Sequence, residues 1–484
     1  MKRAMTQTSA TAVTDADPIL NELRGLLGAR GVTTDTDAME PWLTDWRGRY
    51  HGKARALVQP ENAEQLSALV RLCAKEGIPL VPQGGNSGMV GGATPDESGD
   101  AILLSLRRMN DLRVDAERGT AECGAGVILQ TLHEAAEDQA LRFPLSLGGK
   151  GSATVGGLIS TNAGGTQVLR HGTMRSLVEG LEVVLADGAI LDLTSALKKD
   201  NRGFDLKQLW IGSEGTLGIV TRAVLRLVPA IAERRVVWAG VDTIHEARTL
   251  LLHCQQALPQ ALEGFEVIPR VCLDHVLDYM PNAQAPLQGS HGWNALIEFV
   301  ADRESASALG DAVENAMGAA LEQGLIEDAV IAASEAQANA FWELRENVPS
   351  AERQRGPAKQ HDISVPVAVM PELLERAERE IPALFPGVEV VGFGHLGDGN
   401  IHLHAVAPQG SEIQAWEKET GNAVSAHIYR MVTQEGGSIS AEHGIGQDKL
   451  ATLRETRDPA ALDVMRRVKQ ALDPDGLLNP GKLV

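Results

Sequence analysis

Four histidines stand in two glycine-flanked motifs near the C-terminus. The first, Gly394-His-Leu-Gly-Asp-Gly-Asn-Ile-His-Leu-His404, reads as strand, tight turn, strand, since Gly-Asp-Gly-Asn is turn chemistry between apolar flanks. A hairpin there brings the imidazoles of His395 and His402 together. His402 and His404, two apart on one strand, share a face. The second motif, Ser440-Ala-Glu-His-Gly-Ile-Gly446, sets Glu442 beside His443. Two imidazoles and a carboxylate form a common ligand set for Zn²⁺, Mn²⁺ or Fe²⁺ with open positions; the bland alternative is a set of hydrogen-bonded core histidines. Asp398 fits the turn itself better than a ligand role.

A second kind of chemistry lies upstream. The chain has 50 glycines, concentrated at 84–92, 148–165 and 212–218. The run Pro82 to Gly92 follows one strand and precedes another, so its backbone N–H groups can converge on an anion such as phosphate. No Lys-Ser or Lys-Thr closes it, and no GxGxxG joins a strand to a helix, so it is neither a P-loop nor a dinucleotide fingerprint. Alone it could be a ligand-free turn. With Pro144–Gly165 and Gly212–Gly218 it can line an extended ligand carrying a pyrophosphate.

These loops need elements to hold them. A helix is expected over 17–29, capped by Asp17 with Pro18 in its first turn, and a second from Asn62 to Gly77. Strands follow at 78–81 and 101–106, then at 181–185 and 219–221. Glycine density drops past 230, where helical stretches at 243–257, 303–322 and 334–346 alternate with strands such as 295–300. The tail carries helices at 412–434 and 458–472 and a turn at Asn479-Pro480-Gly481. Alternation of this kind indicates an α+β or α/β architecture with a domain boundary near 230.

Composition narrows the class. A net charge of −20 argues against non-specific binding to nucleic acid or to an anionic membrane. No apolar run is long enough to span a bilayer, and the polar leader lacks a signal-peptide core, so a soluble cytoplasmic protein is expected. Cys73, Cys123, Cys254 and Cys272 form no CxxC pair, which excludes the common iron–sulfur and structural-zinc frameworks and leaves buried, inert thiols as the expectation.

The three glycine stretches, with Leu181-Glu-Val-Val-Leu-Ala-Asp-Gly188 between them, resemble the FAD-binding domain of the vanillyl-alcohol-oxidase-type flavoproteins over about 50–230. The resemblance implies cofactor contacts at Pro82, Gly84, Gly85, Asn86, Ser87 and Gly88, then at Pro144, Gly148, Ser152, Thr154, Gly157 and Asn162, and finally at Gly215 and Ile219. Neither 82–92 nor 144–165 contains a histidine or cysteine, so non-covalent FAD is expected. GHLGDGNIH, AEHGIG and the tail Leu478-Asn-Pro-Gly-Lys482, with Asn479 counted among the cofactor contacts, resemble the FAD-linked D-2-hydroxyacid dehydrogenases over nearly the whole chain. That family includes the D-2-hydroxyglutarate and D-lactate dehydrogenases.

The likeness implies metal ligands at His395, His402 and Glu442, a base at His443, and substrate contacts at Arg345, Lys359, His404 and His443. It implies hydride transfer from a D-2-hydroxy acid to FAD, with D-2-hydroxyglutarate first and D-lactate, D-malate or a larger acid as alternatives. Zinc is the first choice of metal, with manganese or iron open. Two departures bear on the substrate: Gln360 stands where relatives often carry lysine, and His404 where D-2-hydroxyglutarate enzymes tend to carry asparagine. The implied architecture is α+β. A two-part FAD domain with a glycine-rich pyrophosphate loop occupies 17–230, an α+β substrate cap 231–411, and a C-terminal helical segment, 412–484, returns to the FAD domain. Expected partners are a soluble electron acceptor such as electron-transfer flavoprotein, or a quinone, with no nucleic acid, no membrane span and a possible homodimer.

Overall fold

The computed structural model describes residues 17–484, so the reading of the polar leader falls largely outside the described residues. The first helix runs Pro18–Leu27, with the Asp17 side chain accepting from the Ile19 amide, and buries Ile19, Leu20, Leu23 and Leu27 along one stripe. The helix Ala63–Glu76 starts at Asn62, whose side chain accepts from Gln65 N. It stops at Gly77 in the left-handed region, φ 64°.

Three main sheets carry the molecule. A four-stranded sheet orders Val32–Thr33, Ala56–Val58, Ile102–Ser105 and Leu80–Gln83, the last three parallel. The glycine loop from Gly84 leaves the carboxyl end of Leu80–Gln83, where open parallel sheets present backbone to ligands. A five-stranded antiparallel sheet follows, in the order Leu112–Asp115, Thr120–Gly124, Ile219–Arg226, Val178–Val184, Ile190–Leu193. Between Arg226 and Glu233 the chain passes to a seven-stranded antiparallel sheet. Its order is Asp328–Ile331, Glu233–Val241, Trp293–Ala301, Leu262–Pro269, Glu389–His395, Asn400–Val406, Ala358–Ser364. The architecture is α+β.

Helices cover both faces of the seven-stranded sheet. Ile244–Ala257, Ala306–Glu322 and Met370–Leu384 share a core with one face; Arg270–Tyr279 and Glu335–Arg355 pack on the other. The last of these runs nine residues past the end of the 334–346 expectation, because Pro349 interrupts the hydrogen-bond pattern without ending the helix. The 412–434 expectation resolves into Ile413–Trp416, a π-turn at Glu417–Gly421 and Asn422–Gln434. Val424, Ile428, Met431 and Val432 of that last helix join the core of the seven-stranded sheet. The final stretch returns instead to the four-stranded sheet, where Leu80 N donates to Leu477 O and Asn479 N to Leu80 O. All four cysteines are free and buried. No helix among the described residues is long and apolar enough to cross a membrane.

One buried carboxylate ties the sheets together. Glu263, 2% exposed on the strand Leu262–Pro269, is paired by Arg142 of the short strand Leu141–Arg142 and by Arg170 Nη1 at 3.0 Å, with His171 Nε2 at 3.6 Å. Burial alone would raise its pKa, but His171 and Arg142 overcome this and hold it at about 2. A depressed folded-state pKa stabilises fully above the unfolded value near 4.5 and loses that stabilisation as pH falls toward 2. Glu263→Gln should therefore cost about 3 kcal/mol in urea denaturation at pH 7, and the gap to wild type should narrow between pH 4.5 and 2. A gap independent of pH would rule out the ion pair as its source.

Candidate functional site

The site is laid out by strand register. Glu266, His395 and Asn400 lie side by side on three neighbouring strands, and Phe393, His402 and Asp362 form the next row. Val391, His404 and Gln360 form the third. Period-two alternation puts these side chains on one face, while Ile363, Ile401 and Leu403 face the opposite core. The hairpin turn is made by Asp398, whose carboxylate accepts from Asn400 N, as expected of a turn former. It brings the His395 and His402 rings to a centroid distance of 5.4 Å.

Glu266 organises this face. It is fully enclosed, and its two oxygens accept from His395 Nδ1 at 2.5 Å and Arg345 Nε at 2.7 Å. Burial opposes its ionisation, yet the charges of His395 and Arg345 hold it well below the usual carboxylate range. A carboxylate can only accept, so His395 donates from Nδ1; against the lowering effect of burial Glu266 raises the imidazole to about 9, and Nε2 becomes its ligand atom when a metal displaces the second proton. His402 is driven well below the ordinary histidine range by burial, then by the charges of His395 and Arg345. Neutral imidazole is the form that binds metal.

Glu442 arrives from the other motif. One donor atom each from His395, His402 and Glu442 falls within 4.8 Å of the others. Burial lifts the Glu442 carboxyl to about 7, with Asp362 and Asp398 adding to the lift against His395 and Arg345. A cation among these donors would reverse that lift, so the set fits a divalent metal. Asp362 accepts from the backbone amides of both Glu442 and His443 at 2.9 and 3.1 Å, from Asn400 Nδ2, and lies 3.5 Å from His443 Nδ1. It thereby pins the second motif to the first.

The glycine loops enclose a cavity of about 670 Å³. Pro82, Gly84, Gly85, Asn86, Ser87, Gly88, Gly148, Ser152, Thr154, Gly157, Gly215 and Ile219 line it, as do Glu442 and His443 from the histidine motifs. The loops fit a long ligand through close backbone approach: a Cβ on Gly85 would lie 1.8 Å from Ser152 O, whereas one on Gly88 or Gly148 would meet nothing within 4 Å. Thr154 Oγ1, buried in the wall, has no hydrogen-bond partner.

Some expected residues stand elsewhere. Pro144 does not line the cavity. Asn162 ends the helix Val155–Thr161 with φ 50°, its side-chain Oδ1 accepting from Thr173 Oγ1 and Arg175 N, and lines a neighbouring cavity instead. Asn479 braces the loops, donating to Gly92 O and Glu214 O. Lys359 is not brought to the site: its register partner is Ala405, so it turns to the opposite face and pairs with Glu417 at 3.3 Å. Arg345 and His404 do lie on the site face, 7% and 4% exposed.

Residues that motif reading missed act through others. Glu266 and Asp362 hold the ligands and His443; Glu214 accepts from Ile445 N and Gly446 N, joining the third glycine loop to the second histidine motif. The available signal was an acid inside an apolar strand at Glu266, since full burial of glutamate demands a partner.

Comparison with known proteins agrees with this geometry. Residues 54–194 match the family described as FAD binding domain, and residues 231–483 the C-terminal domain of FAD linked oxidases. A D-2-hydroxyglutarate dehydrogenase of Xanthomonas citri pv. viticola is 36% identical over 96% of this chain and 97% of its own. A probable mitochondrial D-2-hydroxyglutarate dehydrogenase of Oryza sativa subsp. indica is 34% identical over 98% and 83%. A D-2-hydroxyglutarate–pyruvate transhydrogenase of Saccharomyces cerevisiae is 33% identical over 91% and 88%. Among solved structures, p-cresol methylhydroxylase superposes with a TM-score of 0.74 at 16% identity, covering 96% of this chain and 95% of that one, and shares the fold.

The lone hydroxyl of Thr154 gives a direct test of the cavity. Thr154→Val keeps the side-chain shape and removes only that group, and should weaken FAD binding roughly 5- to 30-fold, read by flavin release on dilution. Unchanged affinity would mean that the hydroxyl meets no cofactor atom.

Proposed function

The chain belongs to the FAD-linked D-2-hydroxyacid dehydrogenases of the vanillyl-alcohol-oxidase-type flavoproteins and is an FAD-dependent oxidoreductase, and on that premise we propose that it oxidises D-2-hydroxyglutarate to 2-oxoglutarate with the help of a divalent metal. The observation that carries the reading is one juxtaposition. The donor set His395, His402 and Glu442 adjoins His443 where the wall of the glycine-loop cavity ends. The relatives' names supply the substrate.

When bound, FAD supplies the two-electron sink that takes the α-hydrogen as hydride at N5, and the metal supplies charge that acidifies a chelated hydroxyl. His395, His402 and Glu442 would hold the metal, with zinc first and manganese or iron as alternatives. His443 accepts the hydroxyl proton. Burial lowers its pKa despite the opposing charge of Asp362, so the imidazole is neutral and able to take a proton at neutral pH. Asp362 beside Nδ1 orients the ring and favours the imidazolium that results. Arg345, braced by Glu266, offers the remaining edge of its guanidinium to the substrate's α-carboxylate. The electrons then pass to a soluble carrier such as electron-transfer flavoprotein, or to a quinone. Pyruvate joins the candidates through the yeast relative's name. A soluble cytoplasmic location accompanies this reading.

Anaerobic titration with D and L 2-hydroxy acids tests it. D-2-hydroxyglutarate should bleach the flavin while its L-enantiomer does not, and a chelator should abolish the bleaching until metal is restored. His443→Gln should retain FAD and slow reduction by about 10²- to 10⁴-fold. Near-normal reduction in that variant would remove the base assignment; no bleaching by any D-acid, D-lactate and D-malate included, would remove the reaction.

A further inference from the structure

The loop that brings Glu442 and His443 to the site spans 439–449, and buried ionisable side chains from three parts of the chain hold it. Asp362 accepts from the amides of Glu442 and His443, and Glu214 from those of Ile445 and Gly446. The third, Lys449, takes no part in the proposed chemistry. It is 6% exposed. Its side chain turns back across ten residues, and Nζ donates to Ile439 O at 2.9 Å. That bond joins the two ends of the loop.

Local structure does not account for a lysine here. Lys449 stands at the N-cap of the helix Leu450–Thr456, where its side chain makes no capping bond. Serine, threonine, asparagine or aspartate would satisfy an orphan amide at that place, and a cation there opposes the helix dipole. Enclosing the ammonium also costs hydration and the rotamer freedom of a long side chain. Closing the loop is what the residue does in return. The loop sets out along the strand that carries Asp362: Ser438 and Ser364 exchange both backbone hydrogen bonds, and Ala441 N donates to Asp362 O at 3.3 Å. Nζ grips Ile439 O between those two contacts. Across the loop, Ser440 Oγ donates to Gly444 O at 2.7 Å, and Lys449 N to Ile445 O at 3.0 Å. Gly444 and Gly446 have φ of 82° and 51°, so the segment is intrinsically free and depends on such ties for one conformation.

We propose that Lys449 is a positioning residue: its ammonium clasps the loop at Ile439 O and so keeps Glu442 and His443 in register with His395 and His402. Only the kinetic arm of its test rests on the dehydrogenase reading above. A charge-assisted bond between the loop ends is the device, and no contact with substrate or cofactor is required of it.

Hydrogen exchange on the FAD-bound protein is the first arm. In wild type the amides of Glu442, His443, Ile445 and Gly446 should exchange at least about 100-fold more slowly than those of the exposed segment 195–206. Lys449→Met keeps the length and loses the donor, and should speed exchange at those four amides about 10- to 100-fold, with the strand Trp293–Ala301 unchanged. Flavin reduction is the second arm. At saturating D-2-hydroxyglutarate the metal-loaded Lys449→Met holoenzyme should be reduced about 10- to 100-fold more slowly, with KM within about threefold of wild type because Arg345 is untouched. Lys449→Arg can still donate to Ile439 O and should recover a large part of both losses. Wild-type loop amides that exchange like the exposed segment would overturn the clasp even if no variant folds. So would a Lys449→Met protein with normal exchange and reduction, or a Lys449→Arg protein as impaired as Lys449→Met, since only packing would then be at stake. Failure of every D-2-hydroxy acid to reduce the wild-type flavin would remove the dehydrogenase reading and leave the exchange arm to decide on Lys449.

Discussion

A single buried carboxylate, Glu266, sets the terms for the rest of the site. Enclosed in protein, it can remain ionised only because His395 and Arg345 both donate to it. Each bond fixes something that chemistry needs. The first decides which ring nitrogen of His395 is left for a ligand; the second holds Arg345 rigidly over the Phe393 ring, 5.4 Å from its centroid. Remove the carboxylate and His395 and Arg345 lose their shared acceptor together, so the proposed metal donors and the proposed substrate arginine are energetically one unit.

Asp362 plays the matching part for the second histidine motif. Its oxygens take two consecutive backbone amides, at Glu442 and His443, and the Asn400 amide. A loop rich in glycine would otherwise lose much conformational entropy to hold Glu442 and His443 in place. Glu214 repeats the device further along the same loop, with its own backbone in the left-handed region, φ 52°, and both oxygens on the amides of Ile445 and Gly446. The glycine-loop cavity and the loop of Glu442 and His443 thus share a wall through buried charge-assisted hydrogen bonds rather than through apolar packing.

Much of this was legible from local pattern. Asp17, Asn62 and Gly77 mark helix ends because capping is a short-range property. The Gly-Asp-Gly-Asn turn announces the hairpin, and the hairpin announces the His395–His402 approach. Glycine clustering points to the cavity, since close backbone approach excludes Cβ atoms. Where the reading went astray, the cause was phase or distance. Lys359 and Gln360 differ by one position, which on a strand means opposite faces, and only pairing with His404 fixes which one faces the site. Asn162 sits in the right stretch, yet its αL conformation commits its side chain to Thr173 and Arg175.

The sequence by itself determined the reaction class. Residue types, turn chemistry and short spacings are local, and they carry the histidine motifs, the glycine loops and the absence of cysteine clusters. Tertiary structure alone decided how those groups are charged and aimed. Glu266 lies 129 residues from His395, and Glu214 lies 231 from Ile445. No periodicity links such partners, because burial and sheet order rather than chain distance choose them.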